Sequence, residues 1–181
     1  MKRRLLFLFA LFMVATSVGW GQTDLYVSSS GSDDAAGGSD TPLATIAKAI
    51  EKATDGATIH LAEGTFPVSS TISKALTIVG EGNDKSVLKG YLIISVGTQK
   101  NVSFQNVQLT NDAKVYSSPT KPVPLILMKD QSAVLSLRGC ALINNAKGWG
   151  NGYGEGVYIK MGISIQSDST AMCGEINLIN S

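Results

Sequence analysis

Two ten-residue segments of this chain superimpose without a gap, 33 residues apart: Val102-Ser-Phe-Gln-Asn-Val-Gln-Leu-Thr-Asn111 and Leu135-Ser-Leu-Arg-Gly-Cys-Ala-Leu-Ile-Asn144. The ending Leu-x-Asn recurs as Leu178-Ile-Asn180. Self-similarity at a period of roughly 20 to 50 residues marks an array whose units stack on their neighbours. Each unit therefore reads as one coil, or one coil with a loop insertion, whose apolar side chains stack inward on the preceding coil. An asparagine at one bend of successive coils can bond to its equivalent about 4.8 Å along the axis. Asn111, Asn144 and Asn180 are the expected ladder, although asparagine is common at turns simply because it tolerates left-handed backbone angles.

The rest of the chain is punctuated accordingly. After Gly56 come short β-rich runs separated by Gly, Asn, Asp and Ser, at 57–62, 76–79, 91–96, 102–110, 124–128, 134–137, 157–160 and 176–179. Before Gly56, a short β-prone segment at 25–27 leads into a Ser/Gly/Asp-rich loop spanning 28–40. Asp40 or Thr41 is the expected cap of a helix that Pro42 opens, because proline at the first helical position gives up an amide that would be unpaired anyway. Leu43, Ile46, Ala47, Ile50 and Ala53 recur at helical spacing, so one face of a helix at about 42–54 is apolar. No second convincing helical pattern follows, and a fold alternating strands with helices is disfavoured.

Bulk properties narrow the setting. Lys2, Arg3 and Arg4, the apolar run from Leu5 to Val14, and Gly19 and Gly21 before Gln22 have the layout of a secretory signal peptide over residues 1–21. The run is shorter than the roughly 20 apolar residues that span a bilayer, so no membrane span is expected after cleavage. Removing those three basic residues takes the formal charge of +1 to −2, which leaves no basic field for nucleic acid. Cys140 and Cys173 lie beside apolar residues and read as buried free thiols, although an oxidising compartment would permit pairing. His60 is the only histidine, which argues against a His-centred triad or a multi-histidine metal site.

With these residues in view, a resemblance emerges. Tyr26-Val-Ser-x-x-Gly-Ser-Asp33, Thr45-Ile-x-x-Ala-Ile50 and Thr58-Ile-x-Leu-Ala-x-Gly-Thr-Phe66 resemble the opening of pectin-lyase-like right-handed β-helix proteins, and Leu76-Thr-Ile-Val-Gly-Glu-Gly82 resembles their next coil. Further on, Leu142-Ile-Asn-Asn145, Gly156-Val-Tyr-Ile159 and Ile176-Asn-Leu-Ile-Asn180 are similar to the repeats of bacterial adhesins and polymorphic outer-membrane proteins. The resemblance implies an all-β, right-handed parallel β-helix solenoid over 22–181, with a short N-terminal capping α-helix and coils from about 57 onward. Capping has its own reason, since an end coil exposes apolar core and unpaired strand edges. The stop at Ser181 just after a strand is read as an incomplete C-terminal end.

Such a fold hosts lyases, hydrolases, epimerases and binders, so it does not choose among them. A lyase needs a uronate carboxylate neutralised, often by calcium, and a basic residue near the abstracted proton. No aspartates recur at one strand register, and Asp33, Asp34 and Asp40 read as turn and capping residues rather than a calcium loop. No catalytic residue and no metal ligand is assigned, and calcium is left without support. Trp149 and Tyr153, in the glycine-rich stretch 148–156, offer flat faces to sugar rings or pack back onto the solenoid. Arg138 lies in a repeat strand, where an outward position meets an anionic sugar or is merely solvated. The expectation is a secreted, cell-surface or periplasmic protein, non-catalytic and adhesin-like, that binds a polysaccharide or cell-envelope component. The alternatives are an N-terminal fragment of a polysaccharide lyase or glycoside hydrolase, and a purely structural envelope protein.

Overall fold

The computed structural model describes residues 24–97, 99–111, 125–129 and 133–143, and the backbone alone of 163–165 and 175–179. Among these residues are strands β1 (Asp24–Val27), β2 (Ala57–Leu61), β3 (Gly64–Ile72), β4 (Leu76–Gly80), β5 (Ser86–Ile94), β6 (Asn101–Gln105) and β7 (Gln108–Thr110). They continue with β8 (Ile126–Met128), β9 (Val134–Arg138), β10 (Ala141–Ile143), β11 (Ile163–Ile165) and β12 (Glu175–Ile179), and the one helix is α1 (Ile46–Lys52). Two sheets form. The first has the order β1-β2-β4-β6-β9-β12, and the second runs β10-β7-β5-β8-β11 with β3 also on β5.

All the strand pairs are parallel, and the chain visits the first sheet, then the second, then the first again. Pairs β2/β3 and β4/β5 make successive coils, followed by β6/β7/β8 and β9/β10/β11, and β12 opens another. The protein is thus an all-β parallel solenoid with very little helix. Alternation in each strand drives the stacking, because every second side chain faces inward. Leu25, Ile59, Ile78, Phe104 and Leu137 share one register across β1, β2, β4, β6 and β9, and all are buried. Each such burial is worth about 1.5–3 kcal/mol, so this column ties one coil to the next.

The 33-residue repeat is literal in the third and fourth coils, where Val102 pairs with Leu135 and Gln108 with Ala141. Earlier coils are shorter, since Thr58 sits beside Thr77 and Gly64 beside Ser86. Residues 111–125, between β7 and β8, account for the longer period, as an insertion would. The third copy of the repeat is shifted from its sequence alignment. Leu178 pairs with Leu137 in the first sheet, not with Leu142 in the second. Matching three residues could not distinguish two columns that share the same alternation.

Three strands, β3, β10 and β11, lie outside the β-rich runs read from the sequence, and β3 is the longest of them. Gly64–Ile72 reads as turn followed by polar residues and contains Pro67, yet it forms the nine-residue β3. The amide of Gly64 donates to Lys85 O (3.0 Å) and Ser95 N to Ile72 O (2.8 Å), which turns the even-numbered residues toward β5 and Pro67 toward the open edge. A proline there removes no ladder bond and hinders pairing with another chain.

The helix is shorter than its apolar pattern. Leu43 is not helical: it bridges Val27 in parallel, its amide donates to Tyr26 O (2.8 Å), and its carbonyl accepts from Ser28 N (2.9 Å). Pairing with the edge of β1 thus removes Pro42 and Leu43 from the helix. Thr45, rather than Asp40 or Thr41, is the N-cap, and its hydroxyl accepts from Lys48 N. Ile46, Ala49 and Ile50 are buried, and α1 packs on β1 and β3. Lys74 donates to Glu51 O (2.9 Å) and Ala53 O (2.6 Å), satisfying carbonyls at the helix C-terminus.

Asp33 fastens the long loop to this helix start. One carboxylate oxygen accepts from Ala44 N (3.1 Å) and Thr45 N (2.9 Å), the other from the Thr45 hydroxyl (2.8 Å). That hydroxyl is the main cause that holds the Asp33 carboxyl below its ordinary value of 3.8; partial burial opposes it, and the two amides and Lys48 assist. A carboxylate whose folded value is depressed stabilises the fold above its unfolded value, and that contribution disappears as pH falls through the folded value. Asp33→Ala is therefore expected to lower the urea midpoint at neutral pH, with the gap from the parent closing below about pH 3.8. A gap that persists unchanged through strong acid would show that the carboxylate charge is not what matters.

Cys140 is a buried free thiol that donates to Phe104 O (3.3 Å), and burial pushes its pKa up. Cys173 and residues 1–21 lie outside the described residues. Among the described residues, no helix is long and apolar enough to cross a membrane.

Candidate functional site: the outward face of the first sheet

The same alternation that packs the core presents two in-register rows on the outer side of the first sheet. One row runs Asp24, Thr58, Thr77, Ser103 and Ser136, and the other Tyr26, His60, Val79, Gln105 and Arg138. Neighbouring members are about 4.8 Å apart along the axis, the spacing of adjacent strands. Hydroxyl, amide, imidazole and guanidinium groups therefore fall in lines, with Ser103 buried among its neighbours. Gln105 Nε2 donates to Ser103 Oγ at 3.5 Å, and Ser136 Oγ to Asn101 Oδ1 at 3.3 Å.

At the β1 end of the face, the rings of Tyr26 and His60 stack with centroids 4.6 Å apart and planes 14° apart. His60 Nε2 lies 2.9 Å from Asp24 Oδ1, a pair bridging β1 and β2. Both side chains are partly exposed. Tyr26 and His60 border an open notch of about 410 Å³ that also involves Ser28, Ser39, Pro42 and Glu81. Ala62 and Gly80 contribute small residues where β2 and β4 leave the sheet. Ser86, fully buried, fixes that bend: its hydroxyl accepts from Glu81 N (2.9 Å) and shares its proton between Leu61 O (3.2 Å) and Ala62 O (3.0 Å).

Of the residues singled out from the sequence, Arg138 is exposed and belongs to the second row. Trp149 and Tyr153 lie outside the described residues, as do Asn144 and Asn180, while Asn111 is buried. The asparagine at a bend that the structure does describe is Asn106. It has φ 54°, follows β6 directly, and its amide donates to Arg138 O (2.9 Å). The equivalent position one coil on is Gly139, with φ 60°. An Asn/Gly exchange at aligned positions of the repeat was the available sign, because these residues best tolerate that backbone region. The Asp24–His60 pair had no such sign: its members are 36 residues apart and meet only through the register of β1 on β2.

The face can bind a hydroxylated ligand through many weak hydrogen bonds. Among the described residues, no three His, Cys, Asp or Glu side chains converge as a metal site requires.

Comparison with known proteins agrees with this architecture. A family profile described as a protein of unknown function, DUF1565, matches residues 29–177. Over 68 residues the chain is 46% identical to the pectate lyase PEL9 of Emericella nidulans, a match that covers 38% of this chain and 16% of that enzyme. No solved structure matches the chain. Together with the parallel coils, these similarities support a pectin-lyase-like β-helix.

Proposed function

We propose, from the premise that this chain belongs to the DUF1565 family, that it is an extracellular β-helix whose first sheet binds polysaccharide along the solenoid axis. The coils are right-handed, as crossovers between parallel strands of one sheet almost always are. Helix α1 caps the open end of the core, and residues 1–21 direct secretion. The role is adhesive and non-catalytic.

The observation that carries this reading is the register of the outward rows. Thr58, Thr77 and Ser136 present hydroxyls in one register, with the buried Ser103 between Thr77 and Ser136, beside Gln105 and Arg138, a periodic surface suited to a periodic ligand. Trp149 and Tyr153 add aromatic faces for sugar rings, and Arg138 meets carboxylates where the polymer is anionic.

The test is retention of the secreted chain on a panel of immobilised polysaccharides that includes polygalacturonate. Retention is expected, weakened several-fold by Arg138→Ala and further by the double replacement of Trp149 and Tyr153 with alanine. Loss of retention across the whole panel would sink the binding role. The match to a pectate lyase favours a second reading, in which the chain belongs to a polysaccharide lyase. Ultraviolet absorbance of unsaturated uronate ends, followed with and without calcium, separates the two: turnover by this chain would replace the adhesive reading with the enzymatic one.

A further inference from the structure

We infer that the notch at Tyr26, His60 and Glu81 is an end stop, which takes the terminal unit of a polysaccharide whose following units lie over Gln105 and Arg138. The inference rests on the polysaccharide-binding reading above and adds how the polymer is engaged. Three observations lead to it.

First, the notch is aligned with the outward row. Tyr26, His60 and Val79 border it, and the register continues from Val79 to Gln105 and on to Arg138. A ligand lying along that row enters the notch from the side of the later coils.

Second, the opposite side is walled by Ser39 and Pro42. That wall is fastened by backbone bonds. Tyr26 N donates to Gly37 O (2.9 Å), Gly37 N to Thr41 O (3.0 Å), Thr41 N to Gly38 O (3.1 Å) and Leu43 N to Tyr26 O (2.8 Å). The segment that carries Ser39 and Pro42 is thus held to the outer edge of β1. A chain running along the row therefore reaches Ser39 and Pro42 just beyond β1.

Third, the notch offers hydrogen-bonding side chains on several sides. Ser28, Ser39, His60 and Glu81 are among its lining residues, set around an apolar floor that includes Leu61 and Val79. A chain end bears an additional hydroxyl that an internal unit lacks. A site built to hydrogen-bond a group discriminates strongly against a ligand lacking it, since its own polar atoms would lose their partners.

The experiment measures binding of the secreted chain to polygalacturonate fractions of defined length, as affinity and as protein molecules bound per polymer chain. End recognition predicts saturation at one protein per chain at every length, and Ser39→Trp, which fills the notch from an exposed position, is expected to weaken binding roughly tenfold or more. Unchanged melting of Ser39→Trp verifies that the loss is local. Stoichiometry that grows in proportion to polymer length overturns the end stop even if the variant misfolds, while leaving polysaccharide binding intact. Ser39→Trp binding as tightly as the parent also overturns it. Absence of binding at every length removes the underlying reading, and the end stop with it.

Discussion

Gly90→Ala is expected to abolish the cooperative fold or to cost about 3 kcal/mol or more, read as loss of the sharp transition in urea or thermal melting followed by circular dichroism. Gly90 has φ 146°, and a β-carbon built on it would lie 1.8 Å from Val68 O. Val68 is its register partner on β3, so the colliding atom is backbone of the preceding coil and cannot swing aside. The position is also where β5 divides its pairing: Val87 to Lys89 join β7, and Leu92 to Ile94 join β8. The chain changes column at Gly90, and displacing it there shifts two coils. Gly97→Ala is the control. It has φ 79° with nothing within 4 Å of the added carbon, so only backbone strain of about 1–2 kcal/mol is expected. Equal losses for the two variants would show that the approach to Val68 is not decisive.

Phe104→Ala is expected to cost about 3–5 kcal/mol, and Phe104→Leu less than half as much. Phe104 is fully buried and lies in register between Ile78 of β4 and Leu137 of β9. Its removal leaves a cavity in the middle of the column that joins the second, third and fourth coils. Because a solenoid holds together through contacts between neighbouring coils, the loss is felt at both faces of the third coil. Denaturant midpoints of the purified variants measure it. A cost below about 1 kcal/mol for the alanine variant would mean that the neighbouring coils collapse onto the gap.

Alternation makes β2, β6 and β9 legible in the sequence, since Ile59, Phe104 and Leu137 each sit between polar residues, while β4 is legible from its apolar run around Ile78. β3 is hidden because Pro67 and the polar pair Ser69-Ser70 break that signal; a proline is harmless there only because the strand lies at an open edge, a fact of topology. The start of α1 is obscured for a similar reason. Leu43 continues the helical spacing, but Tyr26 O and Ser28 N capture its backbone for the edge of β1. Local pattern and tertiary pairing compete, and pairing wins.

The candidate site divides in the same way. Arg138 can be assigned an outward position from its strand alone. Its alignment with Gln105, Val79, His60 and Tyr26 requires the register of five strands. Nor does the sequence foretell that its only histidine meets Asp24, or that Ser39 and Pro42 wall one end of the row.

By itself, then, the sequence determined a stack of parallel coils: the 33-residue repeat and the inward alternation leave little else that buries these apolar residues. Only the tertiary structure decided where each coil begins, which sheet receives Leu178, and which outward side chains line up. The reason is physical. Inward burial is encoded within each strand by a period of two, whereas register between strands depends on insertions, edge pairing and backbone positions such as Gly90 and Asn106, which act only once the coils are stacked.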